Sequence, residues 1–310
     1  MRIGAGYVRP NGSPALRCPP SRAHTGSVLE SVPNVSEGRD VALLDALAAA
    51  CGPALLDRHV DEDHHRSVFT LAGPGSWDAL AAVVELALAA AERLDLTSHA
   101  GVHPRLGVLD VVPFVALDEP FLHAIDAAYA FAAWVNTELA VPVFFYDGCA
   151  EGSRSLPEVR RDAFARLAPD LGLAEPHPRL GAVAVGARRP LVAVNCWLDS
   201  DDLGLARTVA AAVRERDGGL PGVRALGLAL ASRGVSQVSM NLVDLDRTGL
   251  EAACTAVRDA VADAGGRVTR IELVGLMPAS ELARCSPEFL ASSGLGPDHT
   301  IEGRLAAVRG

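Results

Sequence analysis

Lysine is absent from the 310 residues, and all 28 basic residues are arginine. Its absence excludes mechanisms that need a lysine side chain, namely a Schiff base, a pyridoxal-phosphate anchor or the lysine of a phosphate-binding loop. The chain also lacks a Gly-x-Gly-x-x-Gly stretch after a strand and a Gly-x-Ser-x-Gly elbow. These two absences exclude dinucleotide oxidoreductases and the usual serine hydrolases.

Aromatic residues are also scarce at 5%, so alanine, valine and leucine must form the cores of a chain that is 49% hydrophobic. The six cysteines are scattered without a Cys-x-x-Cys pair, which is typical of free thiols. No apolar run reaches the roughly 18 residues of a membrane span, and the opening residues lack the apolar core of a secretory signal. The net charge of −10 argues against nucleic acid and anionic membranes as partners. We therefore expect a cytoplasmic protein.

Strand and helix patterns alternate along the chain and predict an α/β (α+β) fold. Residues 1–27 show no periodicity and are expected to be a disordered lead-in. The pattern of the first subdomain, residues 28–175, restarts in a second subdomain at residues 176–290, followed by a tail at residues 291–310. We expect two similar subdomains in a ferredoxin-like duplication. Each would have a mixed or antiparallel sheet with helices packed on one face.

A repeated pentapeptide supports duplication, because His-Pro-Arg-Leu-Gly occurs at residues 103–107 and again at residues 177–181. Each copy stands just before an apolar strand pattern. Beyond the second copy, residues 181–186 and 190–197 are predicted to form a pair of neighbouring strands across Ala187, Arg188 and Arg189.

Residues 95–114 join a helical pattern to a strand pattern, and their glycines and Pro104 favour an irregular loop. His99 and His103 lie on this loop, Arg105 follows, and Asp110 enters the strand. An imidazole beside a guanidinium at a strand edge suits proton transfer on an anionic substrate. The alternative is a His-Pro turn with a solvated arginine.

Three further patterns each allow two interpretations. The run from His59 to His65 contains histidines and carboxylates that suit zinc or manganese, but its spacing favours a solvated hairpin loop. Arg66, at the mouth of the next strand, could clamp a carboxylate or form a surface salt bridge. Asn195, Gln237 and Asn241 interrupt apolar strands and must bind either a ligand or the backbone.

Several of these stretches resemble the formiminotransferase domain family, in order, from about residue 29 to 283. The opening Val-Pro-Asn-Val-Ser-Glu-Gly-Arg and the loop His-Ala-Gly-Val-His-Pro-Arg-Leu-Gly-Val-Leu-Asp-Val-Val-Pro-Phe are similar to family motifs. Three later segments resemble strands of the family's second half. The matching stretches are residues 32–39, 99–114, 181–195, 237–242 and 273–278.

The resemblance implies transfer of the formimino group of N-formimino-L-glutamate to N5 of tetrahydrofolate, which is a co-substrate. It also implies two subdomains with a groove between them, a homodimer and no metal. His103 would be the general acid/base, and the folate-contacting residues would be Gly172, Pro176, His177, Pro178 and Gly181. The expected substrate-binding residues are His59, His65, Arg66, Arg105, Asp110, Arg188, Asn195, Gln237 and Asn241.

Three positions depart from the family pattern. Val102 stands where the loop carries Glu, His59 where the family usually has Asp, and His65 where it has Asn. A cationic amidinium would lose carboxylate partners at the first two. Two alternatives are therefore kept: the same scaffold with N-formylglutamate or another one-carbon donor, and a non-catalytic paralogue that binds folate or another anion.

Overall fold

The computed structural model describes residues 28–73, 75, 77–99, 105–117 and 120–309, which form two β-sheets and the helices packed on them. The predicted lead-in, residues 1–27, lies outside these residues. The first sheet contains seven strands: β1 (Leu29–Ser31), β2 (Asn34–Val35), β3 (Leu55–Asp61), β4 (Arg66–Ala72), β5 (Leu109–Ala116), β6 (Val143–Asp147) and β7 (Val183–Ala187). The second sheet contains four: β8 (Val192–Leu198), β9 (Val223–Leu230), β10 (Val235–Leu242) and β11 (Val268–Leu273).

In the described residues, helices lie between some of these strands and after the last one. They are α1 (Val41–Ala50), α2 (Asp78–Arg93), α3 (Phe121–Leu139), α4 (Leu156–Asp162), α5 (Leu203–Val213), α6 (Leu250–Asp263), α7 (Ala279–Ala283), α8 (Pro287–Ser293) and α9 (Ile301–Arg309). None of the described helices combines the length and apolarity that crossing a bilayer requires.

The first sheet is mixed and has helices α1, α2 and α3 on one face. Its order is β1-β4-β2-β5-β7-β6, with β3 beside β4 and β1 also paired with β5. Phe69 and Phe114 point to the helical side and are fully buried against residues such as Leu47, Val83 and Phe131. Alternation along the strands therefore sends other side chains, including polar ones, to the opposite face, which we call the open face.

The second sheet is wholly antiparallel, with the order β11-β8-β10-β9. Helices α5 and α6 cover one face through a core that includes Val194, Cys196 and Val238. Two subdomains, each with helices packed on a sheet, confirm the expected fold, and in the first subdomain helix α4 also packs on the opposite face through Val159. The two builds differ in size, since the first sheet has seven strands and the second has four.

The strand pair predicted across residues 187–189 is wrong. Strand β7 runs parallel to both β5 and β6 in the first sheet, whereas β8 belongs to the second. The five residues of β7 are all buried, as expected of a parallel strand covered on both faces. The chain changes sheet between Ala187 and Val192, one strand later than the boundary predicted at residue 175.

The two subdomains contact each other at several points. In the turn between β9 and β10, Ser232 donates its backbone N–H and hydroxyl to the carboxylate of Asp63, over 3.1 and 2.7 Å. Helix α9 returns to the first subdomain, where Ile301 and Leu305 pack with residues such as Leu56. The end of the chain therefore holds the second sheet beside the open face of the first.

Candidate active site

Asp110 is the centre of a buried charged cluster on the open face of the first sheet. Its carboxylate, 1% exposed, accepts hydrogen bonds at Oδ2 from Arg66 Nη2 over 2.7 Å and from Arg160 Nη2 over 2.5 Å. Its other oxygen accepts the backbone N–H of Leu106 over 2.7 Å. Arg66 also donates from Nε to Asn34 Oδ1 over 2.9 Å. Two guanidiniums share one carboxylate, so the cluster carries a net positive charge.

A β-bulge places Asp110 on this face. Asn34 pairs with Val111 and Val35 pairs with Leu109, so the register skips Asp110. Because a bulge adds a residue to one strand, Asp110 and Val111 both leave the helical core that Leu109 occupies. Strand alternation alone would not predict this direction for both residues.

Two histidines and Arg105 flank the predicted catalytic loop. Arg105 Nη1 lies 2.9 Å from His99 Nε2, and the rings of His99 and His65 stack with centroids 4.0 Å apart. The same Nε2 lies 3.1 Å from the backbone O of His65, so it stands between a guanidinium donor and a carbonyl acceptor. His103, together with Val102, lies outside the described residues.

His65 occupies a left-handed backbone conformation, with φ of 52°, at the end of the turn between β3 and β4. Its Nδ1 accepts the backbone N–H of Gly38 over 3.2 Å and lies 3.6 Å from Glu37 Oε1. Burial lowers the pKa of His65, and the charges of Arg39 and Arg105 lower it further against the opposing effect of Glu37. The imidazole is therefore neutral at pH 7.

Burial also lowers the pKa of the two arginines predicted to bind carboxylates, Arg66 and Arg105. It lowers the pKa of Arg66 to about 10, with Asp110 opposing the effect, and it lowers the pKa of Arg105 in the same way. Arg66 stays charged at neutral pH. A charged guanidinium in a low-dielectric site binds anions more strongly than one in water.

The remaining first-subdomain candidates lie around this cluster. His59 is in β3, where it pairs with Val68, and it shares the open face with Asp57 and Asp61. Arg188 follows β7, where its backbone N–H donates to Phe114 O, near the far end of β5, over 3.0 Å. The structure therefore places Arg188 at the opposite end of β5 from Asp110.

The predicted folate segment runs beside Leu106–Val108, which follow the predicted catalytic loop. Leu180 O accepts the N–H of Val108 over 2.9 Å, and Leu106 O accepts that of Ala182 over the same distance. His177 and Gly181 exchange two backbone hydrogen bonds of 2.8 Å. Of the five predicted folate-contacting residues, Gly181 thus pairs with Gly107, and His177 lies next to Gly181. Gly172, Pro176 and Pro178 belong to the same segment.

The second-sheet candidates have different environments. Asn195 is 4% exposed and donates from Nδ2 to Glu272 Oε2 over 3.1 Å, so it has a protein partner. Gln237 is 1% exposed, whereas Asn241 is exposed at the other end of β10. These three side chains lie on the face of the second sheet opposite α5 and α6.

Arg160 and Asn34 are site residues that sequence reasoning did not identify. Arg160 lies in α4, fifty positions from Asp110, and its helix has the charged composition of an ordinary surface helix. Asn34 lies in the stretch 32–39 that already resembled the family opening, so that resemblance was a signal for it.

Histidine and carboxylate groups do not gather into a metal site in the described ranges. Among those residues there is no group of three or more histidine, cysteine, aspartate or glutamate side chains that could hold an ion. His64 instead pairs with Asp61, whose Oδ2 lies 2.6 Å from His64 Nδ1.

A cluster of arginine, aspartate and histidine on the open face of one sheet, beside a second sheet, defines the candidate site of a two-subdomain α/β protein. Comparison with known proteins identifies the family. The model described as "Formiminotransferase domain, N-terminal subdomain" matches residues 28–188, and "Formiminotransferase domain" matches residues 193–296. The chain belongs to the formiminotransferase domain family and is an enzyme of that kind.

Relatives in all three domains of life cover most of this chain. It is 35% identical to the glutamate formimidoyltransferase of Streptococcus pyogenes serotype M1, over 85% of this chain and 93% of the relative. It is 32% identical to the glutamate formimidoyltransferase of Thermoplasma acidophilum, over 90% and 97% respectively. The formimidoyltransferase-cyclodeaminase of Sus scrofa is 34% identical over 82% of this chain and 51% of the relative.

Proposed function

We propose that this enzyme transfers the formimino group of N-formimino-L-glutamate to N5 of tetrahydrofolate, with His103 as general acid and base. The observation that supports this most strongly is the family match over residues 28–188 and 193–296, which spans both sheets. The relatives that share it over nearly their whole length are named glutamate formimidoyltransferase.

The chemistry requires two proton transfers at neighbouring nitrogens. N5 of the folate forms a bond to the amidine carbon and loses its proton, and the bond from that carbon to the glutamate nitrogen then breaks. The departing nitrogen gains a proton. One neutral imidazole with an ordinary pKa of about 6.5 can accept the first proton and return it.

Sequence proximity supports His103 for this role, because it lies two residues from Arg105. Arg105 in turn contacts His99 in the described part of the chain. Arg66, Arg105 and Arg188 would bind carboxylates of glutamate and folate, and residues 172–181 would contact the folate. His59, His65, Asp110, Asn195, Gln237 and Asn241 complete the proposed binding set.

A second candidate donor is supported by the nearby carboxylates, which already have partners within the protein. Asp110 is bound by two arginines, Asp61 by His64, and Glu37 Oε1 by the backbone N–H groups of residues 38–40. A cationic amidinium needs a carboxylate partner, whereas a neutral formyl amide does not. N-formyl-L-glutamate is therefore the second candidate donor.

The test is turnover of both donors with tetrahydrofolate, followed through the absorbance of the folate product. We expect the formimino donor to react faster. We expect His103→Ala to lower kcat by about 10² to 10⁴-fold, the usual contribution of a general acid/base. His123→Ala, on the outer helix α3, is the matched control and should keep the wild-type rate.

Added imidazole should restore part of the rate to His103→Ala and have no effect on the control. An unimpaired His103→Ala enzyme would refute the role of His103. Faster turnover of N-formylglutamate would replace the donor, and folate binding without turnover of either donor would identify a non-catalytic paralogue.

A further inference from the structure

Gln237 is the most completely buried candidate of the second sheet, and its amide is unsatisfied. The residue is 1% exposed, and within the described part of the chain neither Nε2 nor Oε1 has a hydrogen-bond partner. Most buried side-chain amides are paired, so an unpaired one calls for an explanation. A bound ligand with complementary groups would provide it.

The register of the second sheet shows which way this amide faces. Gln237 lies opposite Trp197 on β8 and Leu228 on β9, and its neighbour Val238 points into the helical core. Side chains alternate along a strand, so Gln237 is on the face away from the helices. Asn195, two residues before Trp197 on β8, shares that face.

A contact between the subdomains links the chain near Gln237 to the chain near the Asp110 cluster. Ser232, five residues before Gln237, is bonded to Asp63. Asp63 is three residues before Arg66, which binds Asp110. Gln237 and Arg66 are therefore each a few residues along the chain from the same contact between the subdomains.

The chemistry of an amide restricts what can bind there. Nε2 donates and Oε1 accepts, side by side in one plane, so the complementary ligand offers an acceptor next to a donor. The carboxylates of glutamate offer only acceptors, and a protonated formamidine offers only donors. The pterin ring of folate has an N–H beside a carbonyl.

We propose that Gln237 binds the N–H and C=O edge of the pterin ring and thereby selects the folate co-substrate. This inference rests on the proposed function. It gives Gln237 a role towards folate and none towards the formimino donor, because its two groups match only the former.

Gln237→Met tests the proposal, since methionine has a similar length and volume without the polar atoms. Loss of two neutral hydrogen bonds should raise KM for tetrahydrofolate about tenfold or more, with KM for the formimino donor unchanged. The melting temperature of the ligand-free variant should equal or exceed that of the wild type, because an unpaired buried amide has been removed. Thr269→Val, on β11 of the same sheet, is the control and should leave both KM values unchanged.

Gln237→Asn keeps the amide but withdraws it by one methylene, and its KM for tetrahydrofolate should also rise. Wild-type turnover with an unchanged folate KM in both variants would overturn the inference while the proposed function stands. A lower melting temperature with both KM values unchanged would assign Gln237 a structural role. No turnover of any donor by the wild type would instead refute the proposed function itself.

Discussion

Asp110 joins two arginines that come from distant parts of the chain. Arg66 begins a strand and Arg160 belongs to helix α4, yet both donate to the same carboxylate oxygen. Because the group is 1% exposed, the charges depend on each other and not on water. Arg160 Nε is also buried with no partner among the described residues, so the arginine relies on Asp110 still more.

Replacing Asp110 with asparagine should therefore be costly. The substitution leaves two partly buried guanidiniums, 14% and 21% exposed, without their buried counter-charge, and we expect the free energy of unfolding to fall by about 3 kcal/mol. Asp45→Asn is the matched control, because Asp45 pairs with Arg58 at a side chain that is 63% exposed, and it should change stability by less than about 1 kcal/mol. Urea unfolding of both variants measures the difference, and equal losses would contradict it.

At the residue scale the sequence predicted residue types better than partners. Arg66 at a strand mouth and Asp110 entering the next strand were both chosen from local pattern, and the structure brings them together. Arg160 could not be found in the same way. Its position follows from how α4 packs on the sheet, where Val159 contacts a cluster that includes Val111 of β5, which is distant in the chain.

At the scale of elements, the segment around Gly181 holds Gly107, at the flank of the predicted catalytic loop, against the sheet. Gly107 and Gly181 form an isolated bridge, and a Cβ on Gly107 would lie 2.2 Å from Ala182 O and 2.5 Å from Leu180 O. Only glycine permits this close backbone approach. The two copies of His-Pro-Arg-Leu-Gly end at these two glycines, so the last residues of the two copies pair with each other.

Gly107→Ala should separate these two segments. We expect a loss of about 1 to 3 kcal/mol in unfolding free energy, because the new methyl group meets backbone that cannot move away cheaply. Gly296→Ala is the control, since no atom lies within 4 Å of its added Cβ, and it should have little effect. Thermal melts of both variants measure the two losses of stability, and similar melting temperatures would show that the bridge is dispensable.

Strand existence was more predictable than strand pairing. The apolar run that became β7 was recognised as a strand but assigned to the wrong neighbour. Short local connections favour hairpins, whereas β7 pairs in parallel with strands separated from it by helices. Periodicity carries no information about such partners.

At the scale of the whole molecule, the C-terminal helix α9 connects the last residues of the second subdomain to the first strand of the chain. Glu30 on β1 is 4% exposed, with Arg188 and Glu302 of α9 as its charged neighbours. Burial raises the pKa of Glu30 to about 7, Arg188 opposes this rise, and Glu302 adds to it. The joint between sheet and helix therefore contains a carboxyl group that keeps its proton to near neutral pH.

This joint should make the stability of the molecule depend on pH. In the unfolded chain Glu30 loses its proton near its ordinary value of 4.5, so between there and pH 7 the folded state binds more protons. The contribution of protonated Glu30 to the free energy of unfolding is therefore complete below pH 4.5 and is lost as the pH rises through 7.

Glu30→Gln imitates the protonated form, and its advantage in unfolding free energy over the wild type should grow by about 2 to 3 kcal/mol between pH 5 and 8. Urea titrations at several pH values measure this, with the exposed Glu138→Gln as a control that should show no such growth. An advantage that is constant with pH would mean that Glu30 is already ionised in the folded protein.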